Sequence, residues 1–586
     1  MLFRDLVEVF DSLESTASRL EMTDYLSDFF SRVSCNDIDK IVYLTQGKLF
    51  PDFYPEKLGI ADKLLLKALA FTSGIKESEI QEIWLREGDP GIVAREVFGR
   101  KKQTALFSEQ LTLNRVHSNL VRIARAEGSG SQDLKMKLLA DILHDATPDE
   151  AKYLSRIVTG RMRLGVAAAT AVDALSQAFG GKEHKPEVER AFNISSDLGM
   201  VAYTLCSEGL DGLSHLSVKV GNPIRAMLAE RLASPEEILA KLGGTAAFEY
   251  KYDGVRVQAH ISKDEIRLFS RRLEDLTPQF PDVVSDLRDA FTGGEAIVEG
   301  ECVPIDINTG EMLPFQEVSH RRGRKYGLED AIEDYPVRIF LFDCLYLDGE
   351  DLTERPLSIR RKALEGIIDQ GNGARLSEMR ILEDTKEVEN FFNRALQDGC
   401  EGLMAKSIGE GSVYRAGARG FLWIKYKKEY RSEMTDTVDL VAVGAFAGRG
   451  RRGGVYGALL MATYNEQRDK FETVCKLGSG FDDEFLAALP GLLEPYKESV
   501  KHHQVESKMD ADFWFEPSLV LEVLGSEISL SPIHTAAFSM IREGAGLAIR
   551  FPRFTGRTRE DKGPREATSS EELEAMYKHQ LKRVES

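Results

Sequence analysis

The stretch "FEYKYDGVRVQAH", residues 248–260, decides how the rest of the chain is read. It is strand-like, and at its centre stand Lys251, Asp253, Gly254 and Arg256, spelling K-x-D-G-x-R. A lone lysine in a strand is ordinarily a solvated ammonium group. To attack phosphorus it must be neutral, and a side-chain pKa of about 10.4 leaves roughly 0.1% neutral near pH 7.4. Nearby cations lower that pKa and also stabilise a phosphate undergoing substitution; Arg256 and the later Lys425 and Lys427 supply them. Gly254 admits a tight backbone turn, and Asp253 orients the loop. By composition, about one chain in a hundred of this size carries such a pattern by chance, so its companions must decide.

The chain has 586 residues, 42% of them hydrophobic, which exceeds a single core and supports several domains. Its net charge of −19 weighs against nucleic-acid binding only as a total, because binding follows local clusters of positive charge. The six cysteines, at 35, 206, 302, 344, 400 and 475, form no C-x-x-C pair and have no histidine at metal-ligand spacing. A reduced, cytoplasmic chain without structural zinc is expected. No apolar run reaches about 18 residues. The N-terminal stretch, with Leu2, Leu6, Val9 and Leu13 on one stripe, reads as an amphipathic helix, neither signal peptide nor membrane anchor.

Three textures follow one another. Residues 1–215 carry apolar positions at three- and four-residue spacing, as in "KMKLLADILHDA" and "EAKYLSRIVTGRMRLGVAAATAVDAL", and predict an all-α domain. After a Gly/Pro break in "VGNPIRAML", residues 216–430 alternate strand-like runs ("AIVEGECVPID", "VRIFLFDCLYL") with helical ones ("SIRRKALEGIID"), predicting a mixed α+β domain. Residues 431–586 hold short strands and turns that suggest a small β-barrel of the OB type. There "GRGRRG", residues 448–453, spells a dinucleotide fingerprint but is followed by another strand-like run rather than a helix. It reads as a hairpin tip presenting Arg449, Arg451 and Arg452 to phosphates, or as a solvated turn. No Walker-type phosphate loop occurs.

In "IVEGECVPID" strand alternation places Glu299 and Glu301 on one face, and "EGLMAKS" offers Glu401 and Lys406. Carboxylates converging on one pocket suit Mg²⁺ bound against triphosphate oxygens. Phe342, in the nearly all-apolar "FLFDCLYL", is a core residue or a base-stacking one. "WIKYKK" puts Lys425 and Lys427 on one side of a strand, and "RFPRFTGRTREDKGPREAT" gathers Arg559, Lys562 and further basic residues.

The ordered set "EYKYDGVR", "FSRRLEDLT", "VEGE", "LFDCLYLDGE", "EGLMAKS", "YRAGARGFLWIKYKKEY" and "RFPRFTGRTREDKGPREAT" resembles the motif ladder of ATP-dependent DNA ligases of the archaeal, replicative type, and the resemblance spans the whole chain. It implies a helical DNA-binding domain (1–215), an adenylation domain (216–430) and an OB-fold domain (431–586). It also implies that Lys251 is the adenylylated nucleophile and that Glu249 accepts a hydrogen bond from the adenine amino group. Arg256 and Arg271 would contact phosphate and ribose, Glu301 the nucleotide or Mg²⁺, and Phe342 would stack on adenine. Glu401 would assist the metal, Arg419, Lys425 and Lys427 would engage phosphates, and Arg559 and Lys562 would orient the departing pyrophosphate. One departure is Glu299, where aspartate is common.

The implied route passes AMP from ATP to Lys251, then to the 5′-phosphate of a nick in double-stranded DNA, whose 3′-hydroxyl finally displaces it. Different steps need different faces of the C-terminal barrel, so a mobile connection is expected at residues 428–436. "GRKKQ", "GRMRLG" and "SHRRGRKYG" add basic stretches for wrapping a duplex. "KKQTALF", with Gln103 and Phe107, is similar to short sliding-clamp-binding motifs or begins a helix. A monomer suffices for encirclement. RNA ligases and mRNA capping enzymes share K-x-D-G, but the helical front domain and the "REDK" tail favour the DNA ligase. NAD-dependent ligases usually carry a four-cysteine zinc site that these cysteines do not furnish, and a non-catalytic scaffold would show degenerate motifs.

Overall fold

The computed structural model describes residues 1–100, 109–305, 312, 315, 318, 321, 332, 335–371, 373–427, 436–448, 455–525, 527–550 and 552–582. They form two compact units, Met1–Tyr426 and Lys427–Ser586. Among the described residues no helix is long and apolar enough to cross a membrane.

The first unit opens as a stack of helices, from Phe3–Glu14 to Leu198–Gly212, around one apolar core. The first helix buries Phe3, Leu6, Val7, Phe10 and Leu13. The expected stripe therefore holds at Leu6 and Leu13, while Leu2 is the N-cap and Val9 is only half-buried. The run "EAKYLSRIVTGRMRLGVAAATAVDAL" is two helices, Pro148–Val158 and Ala168–Phe179, because Gly160 and Gly165 take positive φ in the turn between them. The basic side chains of that turn are held internally: Arg161 pairs with Asp62 at 3.1 Å and Arg163 with Asp89 at 2.7 Å. Asp89 also caps the helix Pro90–Gly99 through the amides of Gly91 and Ile92 and binds Arg156, which is 2% exposed.

The cysteines depart from expectation. Cys35 and Cys206 form a disulfide with a Cα–Cα distance of 5.4 Å, across 171 residues of sequence. The helices Cys35–Thr45 and Leu198–Gly212 run alongside each other, so scattered spacing in sequence said nothing about proximity in space. Cys302, Cys344, Cys400 and Cys475 are buried free thiols.

The remainder of the unit pairs two sheets. Its strands are β1 (Leu228–Arg231), β2 (Ala246–Lys251), β3 (Val255–Ile261), β4 (Ile266–Ser270), β5 (Ala296–Pro304), β6 (Val337–Leu347), β7 (Glu350–Asp351), β8 (Ala374–Leu376), β9 (Met379–Leu382), β10 (Gly402–Lys406) and β11 (Arg419–Lys427). One sheet has the order β1-β11-β10-β2-β9, the other β4-β3-β5-β6-β7, with β8 beside β6. The chain crosses from the first to the second at Tyr252–Gly254, inside K-x-D-G-x-R. Gly254 is required there by close approach rather than by an unusual φ: a Cβ would lie 2.3 Å from the carbonyl oxygen of Cys302 on β5.

In the second unit, β12 (Val438–Ala447) and β13 (Tyr456–Asn465) pair antiparallel as the expected hairpin, and β14 (Lys470–Leu477) continues the sheet. The strands β15 (Lys497–Glu498), β16 (Val505–Glu506), β17 (Phe513–Phe515), β18 (Val520–Leu524) and β21 (Arg553–Thr558) complete it, with β19 (Glu527–Ser531) and β20 (Gly546–Arg550) as a separate pair. Its apolar side closes over Leu440, Leu459, Val474, Phe515 and Leu521, the barrel-like core of an OB-type domain. The hairpin tip with Arg449, Arg451 and Arg452, the connection at 428–435, the clamp-like segment with Gln103 and Phe107, and most of "SHRRGRKYG" lie outside the described residues. Of that last stretch Arg321 is described: it is fully buried and paired with Asp282 at 2.8 Å, not a solvated cation.

Candidate active site

Lys251 ends β2 where the two sheets meet, and strand pairing supplies its surroundings. On β10, Gly402 faces Lys251 and Met404 faces Glu249; on β5, Glu301 faces Arg256 of β3. The amide of Glu401 donates to the carbonyl of Lys251 at 2.9 Å. That turn brings the Glu401 carboxylate onto the half-buried Lys251 ammonium as a close ion pair.

Three carboxyls crowd this lysine. Burial pushes Asp253 up to about 6, with the neighbouring Glu401 charge adding to the effect; the amide of Phe315 donates to it at 3.1 Å. Burial likewise raises Glu301 to about 7, opposed by Lys251 and Arg256 and reinforced by Glu401 and Asp253. Among the described residues no group of three or more His, Cys, Asp or Glu is gathered as a ready-made metal cluster. Glu299 stands apart from the metal reading: it is 1% exposed and bound to Arg256 at 2.7 Å.

A second cluster is cationic. Burial holds the Arg271 guanidinium below its usual value, and Arg256 and Arg419 push it further the same way, so three arginines expected at phosphate share one field. Arg419 opens β11 beside Leu228 of β1, with Lys425 beside Arg231 and Lys427 at the end of the same strand. Arg256 lies 5.5 Å over the Phe342 ring and 5.4 Å over Trp423, and its Nε is buried without a hydrogen-bond partner.

The third element is a buried acceptor. Glu249, 2% exposed, binds Lys406 at 2.7 Å through Oε2, while Oε1 is buried with no hydrogen-bond partner. Burial raises its carboxyl despite Lys406 and the more distant Arg361. Lys406 also donates to the carbonyl of Phe342 at 3.3 Å and covers its ring at 4.9 Å, tying acceptor and aromatic together. Lysine two residues beyond a Gly-Leu-Met strand start was visible in "EGLMAKS"; its partnership with Glu249 follows only from the β2–β10 register.

Arg559 and Lys562 belong to the second unit, where both bind Asp439, at 2.7 and 2.6 Å, with Arg559 also gripping Asp561. They meet each other through that one carboxylate, as their spacing in "REDK" allows.

A half-buried lysine at the junction of two sheets, a barrel carrying a basic C-terminal motif and a helical front domain define a class, and the comparisons agree. Family models match as "DNA ligase N terminus" over 2–176, "ATP dependent DNA ligase domain" over 226–427 and "ATP dependent DNA ligase C terminal region" over 452–562. "DNA ligase 2" of Thermofilum pendens is 52% identical, covering 98% of this chain and 97% of that protein. The DNA ligase of Sulfophobococcus zilligii is 49% identical over 100% of this chain and 98% of its own length. The chain belongs to the archaeal ATP-dependent DNA ligases. At the level of fold alone, the solved structure named "Pmar-Lig_PreS3" superposes with a TM-score of 0.54 at 16% identity, over 94% of this chain and 99% of that one.

Proposed function

We propose that Lys251 is the residue that carries AMP, that the substrate is nicked double-stranded DNA, and that the chain serves replication, repair and recombination as a cytoplasmic monomer. The observation that carries this reading is the Lys251–Glu401 ion pair at the sheet junction. Lysine must lose a proton before its Nζ attacks the α-phosphorus, and a cation taken up by Glu401 would release Nζ from this ion pair and favour the neutral amine. The Nζ–P bond forms as the bond to pyrophosphate breaks; the adenylyl group then moves to the 5′-phosphate, and attack by the 3′-hydroxyl releases AMP.

The other residues take roles that suit their surroundings. The unpaired Oε1 of Glu249 suits the adenine amino group, and Phe342 beside it suits the ring face. Arg256, Arg271 and Arg419 suit phosphate and ribose oxygens, since the repulsion that Arg256 and Arg419 exert on Arg271 is relieved by an anion, and Lys425 and Lys427 are assigned to phosphates with them. Glu301 and Glu401 fit a divalent cation by the same logic of opposite sign: Asp253 and Glu301 are raised partly by neighbouring carboxylates, which a cation would neutralise. Mg²⁺ held there would supply positive charge to the phosphates during substitution. Arg559 and Lys562, brought together by Asp439, are assigned to the departing pyrophosphate.

Domain limits of 1–215, 216–430 and 431–586 belong to the same reading and are supported by the family matches at 2–176, 226–427 and 452–562. Gln103 and Phe107 are kept as the place where a sliding clamp would attach. The test is sealing of a singly nicked duplex with ATP and Mg²⁺, compared with nicked RNA duplexes and RNA 5′-ends. Preference for DNA supports the proposal; transfer of GMP to an RNA end, or sealing of RNA alone, overturns it.

A further inference from the structure

Residues 221–227 connect the helical domain to the strands around Lys251, and they are fastened to β3 by side chains. His260, Gln258 and Arg256 alternate along one face of β3. His260 Nδ1 accepts from the amide of Gly221 at 2.9 Å. Gln258 accepts from the amide of Ile224 at 2.7 Å and donates to its carbonyl at 3.0 Å. Arg256 donates to the carbonyl of Met227 at 2.9 Å, and the amide of Met227 donates to the hydroxyl of Tyr414 at 2.9 Å. β3 is already paired on both edges, with β4 and with β5, so no backbone ladder is open to this segment and side chains on the face of the strand hold it instead.

The fastenings are also bonded to one another. His260 Nε2 lies 2.9 Å from Gln258 Oε1, Gln258 donates to Glu299 Oε1 at 3.4 Å, and Glu299 Oε2 accepts from Arg256 at 2.7 Å and from Tyr414 at 2.9 Å. Gln258, His260, Glu299 and Tyr414 are each at most 5% exposed, so these bonds are made away from water, where a lost partner leaves a costly orphan. The connector's other side holds the helical domain: the amide of Arg225 donates to the carbonyl of Asn193 at 2.9 Å, and its guanidinium lies 4.6 Å over Phe192.

We propose that Gln258, Glu299 and Tyr414 are positioning residues that lock the inter-domain connector to Arg256, so that the orientation of this arginine toward the nucleotide is set by the segment entering from the helical domain. The inference rests on the reading of Arg256 as a nucleotide contact. It gives Glu299 a reason to replace aspartate: the longer side chain brings one carboxylate to Gln258, Arg256 and Tyr414 together.

The test measures self-adenylylation of the full chain with α-labelled ATP, recording the ATP concentration at half-maximal rate and the limiting rate. Tyr414→Phe, Gln258→Leu and Glu299→Asp are expected to raise the half-saturating ATP concentration about fivefold to twentyfold with a limiting rate within about twofold of wild type, a split that loss of fold does not produce. In an Arg256→Ala background, adding Tyr414→Phe is expected to change it by less than about twofold, because the group being positioned is gone. An unchanged ATP dependence in Tyr414→Phe, or the same factor in both backgrounds, overturns the proposal while leaving the function intact. If Gln258→Leu does not fold, Tyr414→Phe, which loses one hydroxyl, decides alone. A wild-type chain that takes no label refutes the function itself, and the proposal with it.

Discussion

At the scale of single residues, the carboxyls around Lys251 trade stability for chemistry. Glu301 is raised to about 7 and Asp253 to about 6 by burial, with neighbouring negative charge adding to it. A carboxyl raised in the folded state contributes stability that is fully present below the ordinary carboxylate range and is lost as pH rises through the folded value. Glu301→Gln is therefore expected to stabilise the fold at pH 8 by about 2 kcal/mol of unfolding free energy, seen as a higher melting temperature, with the advantage gone at pH 4. The same variant should slow adenylylation roughly a hundredfold. Thermal unfolding across that pH range checks the first claim, and equal gains at both pH values would contradict it. Gly254 is tested by Gly254→Ala: a Cβ 2.3 Å from a β5 carbonyl forces the sheet junction apart, at a cost of about 2 kcal/mol read from denaturant midpoints. The K-x-D-G-x-R spelling made Gly254 conspicuous, but it suggested a turn requirement. Only the packing of β3 against β5 shows that space is the reason.

Among elements, the legible part was periodicity and the illegible part was pairing. Alternation in "VEGECV" and "WIKYKK" and the β12–β13 hairpin were readable because a strand's two faces repeat every second residue. Which carboxylate meets which cation depends on register between strands distant in sequence. That is why Glu299 and Glu301 were read together as metal-facing, whereas Glu299 is bound to Arg256. Basic stretches were legible as charge but not as pairing: Arg161, Arg163 and Arg321 are held by Asp62, Asp89 and Asp282. The disulfide is the largest omission. Closing a loop of 171 residues between Cys35 and Cys206 removes unfolded-state entropy equivalent to about 5 kcal/mol on the chain-entropy scale. Cys35→Ser, or reduction, is expected to lower the melting temperature by several degrees while leaving lysine adenylylation at moderate temperature near wild type. Identical unfolding curves with and without reductant would remove the disulfide from the account.

Across the whole molecule, an acidic chain must bind an acidic polymer. The net charge is −19, so affinity for a nicked duplex has to come from local clusters of cations rather than from the total. Binding is expected to weaken steeply with salt, with log affinity falling linearly against log salt concentration; a flat salt profile in fluorescence anisotropy would contradict phosphate-led binding. Lys251 is proposed to carry AMP between ATP and DNA. The most direct measurement of this role is incubation of wild type and Lys251→Ala with α-³²P-ATP and Mg²⁺, followed by denaturing electrophoresis before and after addition of nicked DNA. Acid-labile label is expected on wild type and not on Lys251→Ala, with discharge of the label by the nick. Label retained by folded Lys251→Ala, or none on folded, AMP-free wild type, would contradict that role.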